Sequence, residues 1–283
     1  MQNIRIITRG SELALRQTGE ISSILKGASF GVDVLTTKPI GDINDSSPIS
    51  DIGSDGVFVS SLNKALLGEE ADIAVHSAKD MPSFIDPDLS VVFFSQRGDP
   101  RDFFVSNIPL NKFTGTIGTS SIRRKSYISL LTKGVKFSVI RGNINTRINK
   151  CLSGEYDATV VARVALDRLG LDPPGFVFSE HDLPPDPNQG FIAVVVRKGD
   201  PIAGFFEKIQ DPISLWEASS ERRVLMELGL GCNSPVSLRG KFPEKKVYFS
   251  TVIDDSRFDM VLDFSEESQI KASIKKIGDL LGK

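Results

Sequence analysis

Short β-branched runs and stretches of helical periodicity alternate along this chain, and that alternation is the strongest restriction on its fold. "IRIIT", "VDVLTT", "ADIAVHS" and "LSVVFFS" have the length and branching of strands, whereas "SELALRQTGEISSILKG" and "GVFVSSLNKALLGEE" repeat apolar residues at helical spacing. The order starts again at Thr116: strand "TIGT", helix "SSIRRKSYISLLTKG", strand "VKFSVI", helix "NINTRINKCLSG", strand "YDATVVA" and a helix through "VALDRLGL". Such alternation packs helices onto sheets, so two α/β units are expected. "QRGDPRD" lies between them, and "HDLPPDPNQG" after the second has the Pro and Asp content of a linker. The strand "FIAVVVR" beyond that linker can return to the first unit, which makes two crossings and a hinge. From Pro212 the pattern changes to a long helix, "SLWEASSERRVLMELG", a cysteine loop, strands "KVYFSTVI" and "DMVLDF", and a last helix, "ESQIKASIKKIGDLLG". The expected division is therefore a first domain of residues 1–95 and 190–208, a second of 98–187, and a smaller α/β third domain of 212–283.

With 283 residues, 40% of them apolar, the chain is long enough for two or three cores of roughly 100 residues each. No run approaches the roughly 20 apolar residues that span a bilayer, and "MQNIRIITRGS" is too short in its apolar part for a signal peptide. A cytoplasmic chain without a membrane partner is expected. A net charge of -2 and a pI near 5.8 disfavour nucleic acid as a partner, so anion binding must be local. The two cysteines, Cys151 and Cys232, and the two histidines, His76 and His181, fall in unrelated segments, and no metal site is expected. Cys151 reads as a small core residue. Cys232 stands apart, in "GLGCNSPV", where glycines and Pro235 allow a tight exposed turn after a helix.

Arginine is placed selectively. "ITRGS" (Arg9, Ser11), "GTSSIRR" (Thr119, Ser120, Ser121, Arg123, Arg124) and "IRGNINTR" (Arg141, Arg147) each follow a strand and open a helix. Free N–H groups and the positive dipole end of a helix, with guanidinium forks beside them, bind carboxylates. Taken singly, each turn is also explained by plain N-caps and solvated arginines; three on corresponding strand ends describe a cleft for a polyanion. "AVHSAKDMP" is the fourth location: Ser77, Lys79 and Asp80 lie just past a strand, where open α/β sheets meet their ligands. His76 reads as a structural histidine, because no nucleophile motif accompanies it.

Taken together, "TRGSELALRQ", "ADIAVHSAKDMP", "GTSSIRRKS", "RGNINTR", "YDATVVARVALDRLGL", "NQG" and "LGLGCNSPV" occur in the order in which the porphobilinogen deaminase (hydroxymethylbilane synthase) family carries its motifs. The chain resembles that family from about Arg5 to Pro235, and more loosely in its tail. The resemblance implies two type II periplasmic-binding-protein-like domains flanking a cleft, joined by hinge strands, plus a smaller C-terminal domain carrying the cofactor cysteine. It implies a dipyrromethane cofactor in thioether linkage to Cys232. Four porphobilinogen molecules are then condensed onto this primer, each losing ammonia, and the product is hydrolysed off as hydroxymethylbilane. It assigns Asp80 as the catalytic residue, since a carboxylate can accept from pyrrole N–H groups and stabilise a cationic intermediate. Arg9, Ser11, Lys79, Thr119, Ser120, Ser121, Arg123, Arg124, Arg141, Arg147 and Arg168 match positions that bind cofactor or substrate, largely through their acid groups, and Ser77 and Gln189 match polar cleft contacts. A monomer is implied, with uroporphyrinogen-III synthase as the enzyme to which product is handed on.

Three segments depart from the family pattern. "GSDGVFVSSL", read as a mobile loop near the cleft, has Asp55 and Ser60 where lysines are common, which removes positive charge. Asn188 and Phe191 replace residues of the usual "GQGA", and Arg163 and Ala165 stand in a run that is usually Ala and Gly, with Arg163 positioned to return some charge. Two other readings are a diverged paralogue that has lost turnover and a non-catalytic small-anion-binding protein of the same hinged design. The second needs neither Cys232 nor Asp80, and its usual extracytoplasmic form needs a signal sequence.

Overall fold

The computed structural model describes residues 2–37, 54–231 and 234–282. In chain order the elements are β1 (Asn3–Arg9), α1 (Glu12–Gly27), β2 (Gly31–Thr37), α2 (Ser54–Leu67), β3 (Ile73–Ser77), β4 (Leu89–Phe94), β5 (Asp102–Val105), β6 (Gly115–Gly118), α3 (Ile122–Leu131), β7 (Val135–Ser138), α4 (Ile144–Leu152), β8 (Ala158–Ala162), α5 (Arg163–Leu169), β9 (Gly175–Val177), β10 (Ile192–Arg197), α6 (Ala203–Ile209), α7 (Pro212–Glu227), β11 (Val236–Lys241), β12 (Lys246–Ile253), β13 (Ser256–Asp263) and α8 (Glu267–Leu280). They gather into two compact units, Met1–Arg97 with Phe191–Leu215, and Gly98–Gly190 with Trp216–Lys283. No described helix is long and apolar enough to cross a membrane.

The sheet of the first unit runs β2-β1-β3-β10-β4. β1 is parallel to β2 and β3, and β10 is antiparallel to both β3 and β4. Every residue from Ile192 to Val196 has no exposed surface. That is why "IAVVV" is a continuous apolar run rather than an alternating one: a strand covered on both faces has no polar side. Ile21 and Leu25 of α1 and Ile202 and Phe206 pack with Ile4, Ile6, Val75 and Val194 in the core of this unit.

In the second unit the sheet order is β7-β6-β8-β5-β9. β6 is parallel to β7 and β8, while β5 is antiparallel to β8 and to β9. Both sheets therefore follow one plan. Three parallel strands are followed by an antiparallel strand that has just entered from the other unit's stretch of sequence, and then by an edge strand. This is the type II periplasmic-binding-protein-like arrangement. A separate antiparallel sheet, β11-β12-β13, packs its Val247, Phe249 and Leu262 against Val224 and Leu225 of α7 and Ile270, Ile274 and Ile277 of α8. β5, β9 and α6 are not marked by the alternation: "DFFV" and "GFV" are too short to display a period, and Asp102 opens the first with a charge.

The return linker shows why one departure is tolerated. Asn188 has φ 59°, in the left-handed region where glycine is at ease and asparagine is the usual second choice. Its backbone N–H donates to Glu221 of α7 at 2.6 Å, and the other oxygen of Glu221 accepts from Gly240 at 2.7 Å. The side-chain Oδ1 of Asn188 is buried without a partner among the described residues. Asn188→Gly is therefore expected to leave stability unchanged or raise it, whereas Asn188→Ala, which keeps the strained φ, should cost about 1 kcal/mol or more. Urea unfolding midpoints of the two variants measure the difference.

Candidate functional site

In the first unit, β1 and β3 run parallel and side by side, so their carboxyl ends lie at one edge of the sheet. Arg9 is the last residue of β1, and Ser11 caps α1, its hydroxyl accepting from the N–H of Ala14 at 3.3 Å. Ser77 ends β3, and the next three residues, Ala78–Asp80, form one 3-10 turn that carries Lys79 and Asp80. Arg9, Ser11, Gln17, His76, Ser77 and Asp80 line one open pocket of about 60 Å³, with Leu13, Ala14, Leu62 and Val75 as its apolar wall. One lining residue comes in unassigned by sequence reasoning, and another, His76, is read above only as a structural histidine. Gln17 lies on α1, is buried, and donates from Nε2 to Ser77 Oγ at 3.4 Å. His76, also buried, shares the pocket wall.

The 3-10 turn bearing Asp80 is fixed from its start. The N–H of Ala78 donates to the carbonyl of Phe191 at 3.1 Å, immediately before β10. The Phe191 ring is buried, edge-on to Phe94 with centroids 6.2 Å apart, and the Arg97 guanidinium lies 4.7 Å from its centre. The bulky residue in place of a small one thus fills core space and leaves the supporting carbonyl in position.

Two further turns open helices in the second unit. Ser121 caps α3, accepting from the N–H of Arg124 at 3.3 Å, and Asn143 caps α4, accepting from Thr146 at 2.9 Å. Thr119 is buried and its hydroxyl accepts from Ser121, while the exposed Ser120 donates to the carbonyl of Ile140. Arg141 is exposed; Arg147 is half-buried and donates to the carbonyl of Gly142 at 2.8 Å. Arg168 sits in the last turn of α5, where it donates to Gly190 O at 3.1 Å.

Arg123 and Arg124 are not solvated cations. Both guanidiniums meet the fully buried carboxylate of Asp102, the first residue of β5: Arg123 Nη2 donates to one oxygen and Arg124 Nη2 to the other, each at 2.8 Å. Arg123 also donates to Asp186 and to the carbonyl of Pro184, and Arg124 to the carbonyl of Val160. Gln189 joins the same group, its Nε2 donating to Pro100 O at 2.6 Å and to Asp102 Oδ1 at 3.1 Å. Burial by itself would push the Asp102 carboxyl up; Arg124 and Arg123 outweigh it and hold the carboxyl well below the ordinary carboxylate range. Likewise burial opposes the charge on Arg123, yet Asp186 and Asp102 hold its pKa above the ordinary value. Sequence reasoning treats "QRGDPRD" as a connector and so passes over Asp102, whose partners are 21, 22 and 87 residues away.

Cys151 is half-buried on α4 rather than a core residue, and burial, with Asp157 and Glu155 nearby, pushes its thiol up to about 11. Asp55 and Ser60 fall in α2, not in a loop, and their side chains lie outside the described residues. Arg163 pairs with Asp167 at 2.8 Å, one turn on in α5, so its charge is met locally. Cys232 lies outside the described residues.

Helix N-termini, guanidiniums, hydroxyls and one carboxylate gather at the strand ends of this α/β protein. Residues 4–203 match the family model described as porphobilinogen deaminase, dipyromethane cofactor binding domain. A probable porphobilinogen deaminase of Picrophilus torridus is 38% identical over 265 residues, covering 93% of this chain and 94% of that protein. Its counterpart in Thermoplasma volcanium is 40% identical, covering 83% and 80%. The chain belongs to the porphobilinogen deaminase family and carries that family's dipyrromethane cofactor-binding domain. Among solved structures, the probable amino-acid ABC transporter extracellular-binding protein YtmK of Bacillus subtilis aligns with TM-score 0.44 at 12% identity, over 81% of this chain and 94% of that one. The BenM effector-binding domain with benzoate aligns with TM-score 0.43 at 13% identity, over the same shares.

Two measurements check these electrostatics. At pH 7.5 the raised Cys151 thiol should react with iodoacetamide at least ten-fold more slowly than an unhindered cysteine, whose thiol titrates near 8.5. The depressed carboxyls of Asp102, Asp72 and Asp99 bind fewer protons in the folded than in the unfolded chain. Their contribution to stability is therefore present above the unfolded value of about 3.9 and is lost as pH falls toward the folded values. Urea midpoints should be level above about pH 5 and fall below about pH 4.

Proposed function

We propose that this chain is a working porphobilinogen deaminase, a transferase that condenses four porphobilinogen units and releases hydroxymethylbilane. The observation that carries this reading is the pocket in which Asp80 shares walls with Arg9, Ser11 and Ser77 at the carboxyl ends of β1 and β3. The residue types fit a dipyrromethane cofactor: each ring brings acid groups that call for cations and helix N-termini, and pyrrole N–H groups that call for a carboxylate acceptor. We assign its thioether attachment to Cys232. When bound, the cofactor supplies the terminal pyrrole that serves as the nucleophile. Asp80 accepts from the pyrrole N–H of the incoming substrate and stabilises the positive charge that develops as ammonia leaves. Arg9 and Ser11, with the N–H groups of α1's first turn, receive a substrate carboxylate, and Lys79 adds charge beside them. Ser77, held by Gln17, offers a hydroxyl contact. In the second unit the first turns of α3 and α4, with Thr119, Ser120, Ser121, Arg124, Arg141 and Arg147, receive acid groups of the growing chain, and Arg168 adds to that charge. Arg123 and Gln189 act behind them, since their donors are committed to Asp102 and its neighbours. The acidic whole and the basic local turns are compatible because the relevant fields act within about 10 Å.

The intact mass of the purified chain tests this reading. It should exceed the sequence mass by a linear dipyrrole, and Cys232→Ser should lose that increment; an unmodified wild-type chain that is inert with porphobilinogen would overturn the assignment. Asp80→Asn should retain fold and cofactor while its kcat drops by about 10²-fold or more. A near-normal rate in that variant would place the catalytic group elsewhere.

A further inference from the structure

The antiparallel strand that enters each sheet by a crossing occupies the same slot in both units, next to the third parallel strand. In the first unit the residue leading into that strand, Phe191, supports the turn bearing Asp80 through its carbonyl. In the second unit the equivalent strand opens with Asp102, whose carboxylate has no exposed surface and accepts from Arg123, Arg124 and Gln189. We propose that Asp102, with the rim carboxylate Asp186, is the positioning residue for acid-group binding at the first turn of α3. This inference rests on the reading of the chain as a working deaminase.

Arg123 and Arg124 are consecutive helical residues, so their side chains leave the helix about 100° apart and their charges repel. One carboxylate that gives an oxygen to each brings the two guanidiniums together and fixes their directions. The charges balance within the group: two guanidiniums against Asp102 and Asp186. Arg123 is fully enclosed, so its part is to tie α3 to the linker through Asp186 and Pro184. Arg124 is held at both terminal nitrogens, by Val160 O and Asp102, while its Nε–H is buried with no partner among the described residues. That Nε–H is the donor of Arg124 that an additional acceptor would complete. A buried ion pair is often no more stabilising than apolar residues of equal volume. Stability alone therefore gives little reason for this arrangement, and orientation gives a direct one.

The test is Asp102→Asn, held folded with sucrose at low temperature and monitored by near-ultraviolet circular dichroism. Cofactor loading is read from intact mass after incubation with porphobilinogen, and KM and kcat are measured on the loaded fraction. The expected result is loading reduced at least ten-fold in fully folded protein, with KM raised about ten-fold and kcat within two-fold of wild type. Loading that simply tracks the folded fraction, with KM unchanged, would show a purely structural ion pair and overturn the proposal. If Asp102→Asn does not fold, Asp186→Asn decides, because this carboxylate is 23% exposed and its loss leaves Asp102 in place. A KM raised at least three-fold at constant kcat supports the positioning role, and an unchanged KM overturns it. An unloaded, inert wild type would remove the deaminase reading itself, whereas a loaded wild type with unaffected variants removes this inference alone.

Discussion

The antiparallel pairing of β10 with both β3 and β4 is the interaction on which the first unit depends. Without it, β3 and β4 would each expose a row of unpaired backbone groups beside an apolar core. The strand is buried along its length, and the residues around it form more than sheet contacts. At its start, the Phe191 carbonyl holds the turn that presents Asp80, and Ile192 exchanges bonds with Ser95 at the end of β4. At its far end, Arg197 pairs with Asp72 and Asp200 and donates to the carbonyls of Leu66 and Ala71. A candidate catalytic carboxylate is thus placed by a strand more than 100 residues away in sequence.

The second unit repeats the device in different chemistry. β5 takes the slot that β10 takes in the first sheet, and its first residue supplies a buried carboxylate instead of a carbonyl. A carbonyl suffices to fix a short turn through one N–H. Holding two repelling guanidiniums requires a full negative charge with two acceptor oxygens, and it requires enclosure, since the same pair in water would be worth little. The result separates arginines that were indistinguishable as sequence. Arg141 remains exposed, whereas Arg123 is wholly engaged inside the unit.

Much of this was legible beforehand. The two α/β runs, the helix caps Ser11, Ser121 and Asn143, and the exit of Asp80 from a strand all follow from local patterns, and the structure carries each of them. Local patterns fail where the relevant partner is remote or the element is short. Asp102 lies in a four-residue strand and makes its meaning only with α3 and the linker. Asn188 and Phe191 look like losses from a motif, yet one adopts the left-handed backbone that the position requires and the other fills space against Phe94. Arg163 looks like a gain of free charge, and the carboxylate that meets it is one helical turn further on.

The sequence by itself determined the element types, the N-capped turns and the set of charged side chains, because these depend on periodicity and on hydrogen bonds within a few residues. It also determined the family, through the order of many short motifs. Only the tertiary structure decided which of those charges stay exposed and which are enclosed, and which strand completes which sheet. The physical reason is that desolvation and pairing, not residue identity, set what an arginine or a carboxylate does. Both depend on groups that folding brings together from distant parts of the chain.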